Sequence, residues 1–487
     1  MRAAYLIYCA NLPGFPHFPE ASLALASELK KIKISSKIID LRLVKKEGID
    51  IKDPLFFGFT IYSNESIKYA LDFAARLRED FPGVTLAWGG PHVHMLPEQT
   101  AENKLVDLAC YGEGEASVRE LAKQLALGRR DFHKIPGIFF KEDGRICKTA
   151  LENYQDLDSL EFYPYELLDL NLYKKTTSAH FYYQTSRGCI HRCRFCNYNY
   201  QSKWRAKSSQ KVAGELSRIK ENFDPYEFYI SDGNFFASKK RAMEIIFEFK
   251  KLKIRWTAFC RFDDLSSFSD DELNLMKESG CAKLNLGGES GSDMILEYLN
   301  KRITSQQIIE GISRCNRYGI LADVSFIAGV PKETEEELNK TIDLILKIYK
   351  MHPDNMVNGL FYYEPYPNTP LMEEIMLDYH LPLPKDLSGW GDKPITSPYR
   401  EYLPWLSDKE YTKIFSLTQI VNFLYLRKRL EIYLKNNVLD KRYNMLMKLT
   451  SLLLPLVKLR LEGKNFNCPL EWKMYYFLKK RVLNMDL

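Results

Sequence analysis

Three cysteines near the middle of the chain are the residues best able to carry chemistry. Cys189, Cys193 and Cys196 lie in the segment Ser-Arg-Gly-Cys-Ile-His-Arg-Cys-Arg-Phe-Cys, with the spacing C-x3-C-x2-C. Cysteine thiolates are the usual ligands of iron–sulfur clusters, and a four-iron cluster held by three of them leaves one iron open to an outside ligand. The spacing therefore predicts a [4Fe-4S] cluster whose open iron binds a substrate-like cofactor.

Two other interpretations of these cysteines compete with the cluster. They could be unrelated thiols, or they could form part of a zinc site with His191 as the fourth ligand. Such zinc sites usually contain two cysteine pairs, or one pair and spaced histidines, and no second pair follows here within about 12–20 residues. The pattern therefore favours the cluster.

The cysteine segment resembles the signature of the radical S-adenosylmethionine (SAM) superfamily, which has this spacing and an aromatic residue just before the third cysteine. Phe195 is that aromatic residue here. The resemblance implies that SAM binds at the open iron and that Phe195 belongs to the cofactor-binding residues.

Length, composition and charge indicate a globular protein of several domains. The chain has 487 residues, 45% of them hydrophobic, which allows two or three domains with sizeable cores. Its ten cysteines, without a secretory signal, are expected to stay reduced or to bind metal, as in the cytoplasm. Residues 411–487 contain fifteen Lys and Arg against five Asp and Glu, a charge of +10, so the remainder carries −4 of the overall +6. Basic charge confined to one segment argues against nucleic acid as a partner.

Residues 1–130 alternate short apolar runs with amphipathic stretches, which predicts an α/β domain with a doubly wound, Rossmann-like parallel sheet. Ligands of such sheets lie beyond the carboxyl ends of the strands, here in the loops 10–16, 62–65, 89–92 and 111–115. None of these loops contains the fingerprint G-x-G-x-x-G, which disfavours a nicotinamide or flavin cofactor. The adjacent glycines Gly89 and Gly90 leave space for a bulky ligand, although a tight turn is the simpler explanation of the glycines alone.

Together these loops resemble the cobalamin-binding domain that precedes many radical SAM barrels, with Gly-Gly-Pro-His after one strand and Gly-Glu-Gly-Glu after the next. The resemblance implies cobalamin contacts from Tyr62, Ser63, Asn64, Gly89, Gly90, Pro91, Gly112 and Glu113. The D-x-H-x-x-G loop that supplies an axial histidine in many cobalamin proteins is absent, only His17 lies near, and Glu65 replaces the expected leucine. We therefore expect base-off cobalamin with no protein histidine on cobalt, and whether Tyr62, Asn64 or nothing approaches its lower face stays open.

The rest of the chain divides into three parts. Residues 131–178 are interpreted as a connector with a hairpin over 137–140 and 146–149. Residues 179–370 repeat a strand–helix unit six times, which predicts a partial (β/α)6 barrel with its chemistry at the carboxyl ends of the strands. The cysteine segment follows the first of these strands. Residues 371–487 predict a mainly helical C-terminal domain.

Charged residues that follow the later strands of the predicted barrel are candidates for SAM contacts. Asp232 follows the second strand, and Arg261 and Asp263 follow the third. Asp263 and Glu333 are interpreted as helix caps. The family resemblance implies that Arg261 binds the SAM carboxylate through two parallel hydrogen bonds, with Asp232 as a weaker candidate.

Glu289 differs from those capping residues, because two glycines precede it and Ser292 can begin the next helix. The segment around it matches the Gly-x-Glu-Ser-Gly pattern of the resembling family. The resemblance implies that Glu289 and Ser290 contact SAM. The sequence assigns no catalytic residue.

The C-terminal tail is basic and apolar. Its apolar segment 452–457 contains Pro455 and is shorter than the ~20 residues that span a bilayer. Apolar residues at helical spacing predict a stripe that packs on the barrel: Phe423, Leu424, Leu426, Leu430, Tyr433 and Leu434. Peripheral contact with a membrane is an alternative that is not favoured.

The combined resemblance is to cobalamin-dependent radical SAM enzymes, the class B methylases and the anaerobic magnesium-protoporphyrin ester cyclase group. It implies a methyltransferase in which a 5′-deoxyadenosyl radical takes hydrogen from an unactivated carbon and methylcobalamin supplies the methyl group. A small-molecule or peptide substrate and an external one-electron reductant, flavodoxin or ferredoxin, are the implied partners.

Two alternatives to methylation stay open. One is a cobalamin-dependent cyclase, ring-contracting or oxygen-inserting enzyme without net methylation. The other is a SAM- or cobalamin-binding regulator without turnover. The sequence specifies neither the substrate nor the oligomeric state.

Overall fold

The computed structural model describes residues 2–9, 18–44, 49–152, 154–170, 172–173, 180–198, 203–392, 400–435 and 443–466. The predicted ligand loop 10–16, the neighbouring His17 and the C-terminal residues 467–487 lie outside the described residues.

A seven-stranded sheet forms the N-terminal part of the structure, in the order β2-β1-β3-β4-β5-β6-β7. Its strands are β1 (Ala3–Cys9), β2 (Ser36–Asp40), β3 (Pro54–Ile61), β4 (Thr85–Gly89), β5 (Leu108–Cys110), β6 (Ile138–Glu142) and β7 (Arg145–Lys148). The first five strands are parallel. Strand order reverses between β1 and β3, which is the position where doubly wound sheets bind ligands.

Helices cover both faces of this sheet, as predicted. They are α1 (Glu20–Lys31), α2 (Ser66–Asp80), α3 (Pro91–Met95), α4 (Pro97–Ala101) and α5 (Glu115–Ala126). Leu29 of α1 and Leu121 of α5 share one core with Leu6, while Phe73 of α2 shares another with Phe57. Strand β1 is buried along its whole length, which explains why its sequence is apolar without alternation.

The predicted hairpin is present, but it extends the first sheet. Strand β6 pairs antiparallel with β5 and with β7. The connector interpretation did not anticipate this pairing, because a local hairpin pattern does not reveal which distant strand edge it will cover. The sheet therefore continues past residue 130, and the domain boundaries stay a prediction.

A second sheet contains six parallel strands in sequential order. They are β8 (His180–Tyr183), β11 (Glu227–Ile230), β12 (Trp256–Cys260), β13 (Cys281–Glu289), β14 (Leu321–Ala328) and β15 (Met356–Tyr362), and a short ribbon pairs β9 (Ser186–Arg187) with β10 (Arg205–Ala206). Sequential parallel order is what the predicted six strand–helix units require; closure toward a barrel stays a prediction.

The helices between these strands are α6 (Ser209–Phe223), α7 (Lys239–Leu252), α8 (Phe262–Ser267), α9 (Asp270–Glu278), α10 (Asp293–Tyr298), α11 (Ser305–Arg317) and α12 (Glu335–Met351). Most of them begin at a residue whose side chain caps the first turn, whereas α7 and α8 do not. Ser269 with Glu272 and Thr304 with Gln307 form capping boxes, in which each side chain satisfies the other residue's backbone N–H. Such caps fix where a helix begins after a strand-end loop.

The C-terminal helices are α13 (Pro370–Tyr379), α14 (Leu387–Asp392), α15 (Asp408–Lys435) and α16 (Tyr443–Glu462). Helix α15 packs along β15. Helix α14 returns to the first sheet, where Trp390 donates a hydrogen bond to Gln99 at 2.7 Å. The C-terminal part therefore contacts elements of both sheets.

The predicted packing stripe lies on α15. Phe423, Leu424 and Leu430 are buried, and Leu426 and Leu434 are half-buried. The side chain of Tyr433 lies outside the description. This stripe is confirmed wherever it is described.

Helix α16 is different, because it exposes Leu452, Leu456 and Leu459. Among the described residues, none of the helices has both the length and the apolar character needed to cross a bilayer.

Candidate functional site

The carboxyl ends of both sheets line one cavity of about 900 Å³. The first sheet contributes Tyr62, Gly89 and Glu113, one from each of three loops chosen from the sequence. The second sheet contributes aromatic side chains, among them Tyr182 and Tyr229, whose ring centroids are 4.8 Å apart. A ligand held by the first sheet would therefore share its space with a ligand held by the second.

The three predicted cluster ligands lie together beyond β9. Cys193 is buried, and Cys189 and Cys196 are half-buried. Burial raises the pKa of Cys196 to about 11, and the neighbouring Cys193 and Cys189 act in the same direction. Among the described residues, no three His, Cys, Asp or Glu side chains are close enough together to bind one metal ion. In a four-iron cluster each ligand binds a different iron, so its thiols lie farther apart than those around one ion.

Leu299 and Asn300 hold the loop that contains the three cysteines (the cysteine loop) in place. The N–H of Arg194 donates to the carbonyl of Leu299 at 3.0 Å, and Asn300 donates to the carbonyl of Arg192 at 2.7 Å. Phe195, the aromatic residue of the motif, is half-buried against the main core. The loop is therefore anchored on both sides of Cys193.

Arg261 lies beside this loop and is almost fully buried. Its guanidinium donates to both carboxylate oxygens of Asp263, at 2.8 and 3.0 Å, and to the Sγ of Cys193 at 3.5 Å. Asp263, interpreted from the sequence as a helix cap, is therefore the partner that orients Arg261. A SAM carboxylate would have to share this guanidinium with Asp263, and the role in SAM binding stays a prediction.

Glu289 is the last residue of β13, so the two glycines before it belong to the strand as well. The pairing of β13 with β14 shifts register between Gly287 and Glu289, and this bulge turns the strand end without breaking it. Glu289 has a φ of 61° and accepts a hydrogen bond from Lys301 at 2.6 Å. A Cβ on Gly287 would lie 2.4 Å from the Glu289 carboxylate, so this glycine makes space for the ion pair.

The other two predicted SAM contacts are engaged within the protein. The buried hydroxyl of Ser290 lies 3.1 Å from that of Thr341. The buried carboxylate of Asp232 accepts hydrogen bonds from the backbone N–H and the hydroxyl of both Thr185 and Ser186. Asp232 therefore fixes the start of strand β9, which leads into the cysteine loop. Direct contact of Ser290 or Asp232 with SAM stays a prediction.

The second ligand loop of the first sheet presents three side chains with different partners. The hydroxyl of Tyr62 lies 3.2 Å from that of Tyr8. The hydroxyl of Ser63 lies 2.9 Å from the Nδ1 of His92, and both of these residues are buried. Asn64 accepts a hydrogen bond from the backbone of Ser66 at 2.9 Å. All three predicted residues line the cavity, with the Ser63 hydroxyl turned to His92.

Glycine occupies the two adjacent positions 89 and 90 for different structural reasons. A Cβ on Gly89 would meet only Cys110 and Phe59, at 3.8 Å or more. Gly90 has a φ of 99°, and a Cβ there would lie 2.6 Å from the carbonyl oxygen of Ile61. The sequence explanation, that both glycines leave ligand space, is therefore incomplete for Gly90, which β3 requires. Pro91 follows as the first residue of α3, a position that suits its fixed φ.

His94 is the histidine among the described residues that line the cavity. Its Nδ1 accepts a hydrogen bond from the N–H of Gly112 at 2.8 Å. Burial lowers the pKa of His94 and so favours the neutral ring, in which the hydrogen bond accepted by Nδ1 leaves the proton to Nε2. Gly112 itself has a φ of 80°, and a Cβ there would clash with Leu151 at 2.6 Å. In this tautomer His94 has no free nitrogen lone pair to offer a metal.

Sequence reasoning missed several charged residues of the site. Glu20 begins α1 and lines the cavity; burial raises its pKa to about 7, although Lys207 and Arg187 act in the opposite direction. Arg187 and Lys301 bind the predicted residues Glu113 and Glu289. Arg187 could have been found because it directly precedes Gly188-Cys189, whereas no sequence signal joins Lys301 to Glu289.

Sequence comparison relates the chain to a known family. The model of the radical SAM superfamily matches residues 183–345. An uncharacterised methyltransferase of Pyrococcus horikoshii is 32% identical over 373 residues, which cover 73% of this chain and 78% of that protein. The anaerobic magnesium-protoporphyrin IX monomethyl ester cyclase of Rubrivivax gelatinosus is 27% identical over 317 residues, 61% of this chain and 54% of the cyclase. The chain thus spans about half the length of the cyclase.

The likeness to solved structures covers more of the chain than residues 183–345, which the superfamily model matches. The radical SAM methyltransferase TsrM from Kitasatospora setae, with cobalamin and a [4Fe-4S] cluster bound, has a TM-score of 0.65 at 18% identity, covering 77% of this chain and 75% of TsrM. The radical enzyme OxsB, with aqua-cobalamin and SAM bound, has a TM-score of 0.68 at 16% identity, covering 99% and 80%. At these identities the likeness concerns the fold.

Proposed function

Because this chain belongs to the radical SAM superfamily, we propose that it is a cobalamin-dependent methyltransferase that methylates an unactivated carbon of its substrate. The observation that carries the proposal is the cavity that the carboxyl ends of both sheets line together. When bound, the cluster and SAM supply a carbon-centred radical and cobalamin supplies the methyl group. The protein positions these groups and encloses them.

The cysteine loop suits the cluster. Cys189, Cys193 and Cys196 are thiols in one anchored loop, which is the ligand type that iron–sulfur clusters use. Beside them, Arg261 directs one N–H at Cys193 and offers positive charge to a carboxylate. Arg261 also donates to the carbonyl of Lys301, so the buried pair of Glu289 and Lys301 adjoins it and is a candidate to orient SAM.

The first sheet suits base-off cobalamin. The cavity continues along the face of this sheet between α1 and α5, where Leu6, Gly58, Ala87 and Val118 line it. Small residues on the strands make this an apolar groove, which suits the nucleotide tail that base-off cobalamin extends away from cobalt. The tautomer of His94 supports a cobalt without a protein histidine ligand.

The second sheet suggests the chemistry of the substrate. Its part of the cavity wall is aromatic, with Phe259 40% exposed and its ring 5.8 Å from that of Tyr229. These rings favour an apolar or aromatic portion of a small molecule or peptide. An external one-electron reductant, flavodoxin or ferredoxin, completes the system, and a reducing cytoplasm suits its cluster.

Product analysis tests the proposal. The anaerobically reconstituted protein, loaded with hydroxocobalamin, is incubated with SAM, a reductant and extract from its own cells as the substrate source. We expect 5′-deoxyadenosine and S-adenosylhomocysteine together. Deoxyadenosine alone would favour the non-methylating reaction that the likeness to the cyclase suggests. Neither product would favour a binding protein without turnover.

A further inference from the structure

An ion network joins the short β9–β10 ribbon, which leads into the cysteine loop, to the segment that follows strand β5 of the first sheet. Arg187 ends β9, two residues before Cys189, and its guanidinium spans two carboxylates of the segment that follows β5. One amino group donates to Glu113 at 2.9 Å and the other donates to Glu115 at 2.7 Å. The side chains of these three residues are between 7% and 19% exposed. Most of their charge is therefore removed from water.

A second arginine completes this network. Arg205 lies in β10, directly opposite Arg187 in the antiparallel ribbon. Its guanidinium also donates to Glu113, donates to the carbonyl of Gln155 at 2.6 Å, and lies 4.7 Å from the ring centroid of Tyr154. Two adjacent positions of the ribbon thus present two cations to two anions of the first sheet.

We expect such a network to fix the relative position of the two segments rather than to increase the stability of the fold. The two positive and two negative charges balance, and a buried ion pair contributes little net stability because desolvation offsets the attraction. A guanidinium that bridges two carboxylates, however, fixes both distance and direction. Glu113, Glu115 and Arg187 also line the cavity, so this fixed contact lies between the two predicted cofactor sites.

We propose that Arg187 is a positioning residue that fixes the cluster loop relative to the cobalamin-binding edge of the first sheet. The inference rests on the proposed function, because it assigns the network a role only when both cofactors are present. Gly188 and Cys189 follow Arg187 directly, and Gly112 directly precedes Glu113. A displacement of the guanidinium would therefore shift the cluster relative to cobalt, and radical chemistry between them depends on such placement.

Electron paramagnetic resonance measures this placement without a substrate. Cob(II)alamin and the reduced cluster are both paramagnetic, and their magnetic interaction depends on the vector between them. In the doubly loaded wild type we expect one defined interaction. In Arg187→Gln we expect that interaction to be weakened or spread over several values, with iron and cobalamin contents unchanged. An unaltered interaction in the doubly loaded variant would overturn the proposal.

Two further variants keep the test decisive. Arg78→Gln removes another ion pair, to Asp107 at 2.7 Å, which joins α2 to the residue before β5, and it should leave the interaction as in the wild type. If Arg187→Gln fails to load a cofactor, Arg187→Lys is measured, since lysine keeps the charge but cannot bridge two carboxylates in a planar fork. An altered interaction in that variant supports the proposal and an unaltered one contradicts it. A wild type that loads its cluster but binds no cobalamin would instead contradict the proposed function.

Discussion

At the scale of single residues, cysteines of one chain differ by their surroundings. Cys189, Cys193 and Cys196 share one loop near the cavity, whereas Cys281 lies buried at the start of β13 and Cys9 at the end of β1. A buried thiol in an apolar core has a raised pKa and behaves as a small hydrophobic side chain. The loop cysteines, and not these two buried ones, are therefore expected to bind iron.

Alanine substitutions test this assignment. Changing each of Cys189, Cys193 and Cys196 to alanine should abolish the four-iron cluster, because each thiolate is one of only three protein ligands. The measurement is the iron and sulfide content of anaerobically reconstituted protein. Cys281→Ala is the control and should retain its cluster; loss of the cluster in that variant alone would mean that the ligand assignment is wrong.

The glycine pair before α3 gives a second residue-scale prediction. In Gly89→Ala the new methyl group meets no atom closer than 3.8 Å, so the fold should persist while cobalamin binding weakens. In Gly90→Ala the positive φ and the contact with Ile61 should cost about 1–3 kcal/mol of stability. Thermal unfolding and titration with hydroxocobalamin separate the two effects. Normal cobalamin affinity in Gly89→Ala would remove Gly89 from the ligand site.

Arg261 gives a third prediction at the scale of single residues. If its guanidinium binds the SAM carboxylate, Arg261→Ala should weaken SAM binding by about 1.5–3 kcal/mol, the usual value of a hydrogen bond to a charged group. Calorimetry on cluster-loaded protein measures this change. Arg255→Ala, which removes the arginine before the same strand β12 and its 2.8 Å bond to Glu227, is the matched control. Equal SAM affinity in both variants would leave Arg261 with a structural role, as the partner of Asp263, Cys193 and the Lys301 carbonyl.

At the scale of elements, periodicity predicted what is local. The six predicted strand–helix units are present as strands and helices, and Ser292 caps α10 as expected. Local patterns could not predict long-range partners: the bulge at the end of β13 depends on its pairing with β14. The Lys301 that binds Glu289 lies beyond a helix and a turn, and Asp232 binds residues 46 and 47 positions earlier in the chain. The candidate loops were therefore predictable, whereas the partners of their side chains were not.

The packing of α15 gives the element-scale prediction. Phe423 is 1% exposed and Phe415, on the same helix, is 37% exposed. Phe423→Ala should therefore cost about 3–5 kcal/mol of stability through a buried cavity, while Phe415→Ala should cost much less. Chemical denaturation of the two variants makes the comparison. Equal losses would contradict the packed stripe.

At the scale of the whole molecule, the cavity depends on parts far apart in the chain. Tyr62 and Tyr366 lie on its wall, while α14 and α15 hold the C-terminal segment against elements of both sheets. The buried stripe of α15 supports packing as one role of this basic segment. The exposed Leu452, Leu456 and Leu459 of α16 keep contact with an anionic surface as the alternative.

The hairpin of β6 and β7 bears on how the chain is made. During synthesis the edge of β5 stays open until residues 138–148 have emerged, because β6 is the strand that covers it. Open strand edges pair with other chains, and domains begin to fold while the rest is still being translated. Residues 1–130 expressed alone should therefore aggregate, whereas residues 1–152 should remain in solution, as light scattering would measure. While the residues between β5 and β6 are being synthesised, the nascent first sheet therefore needs protection from pairing with other chains.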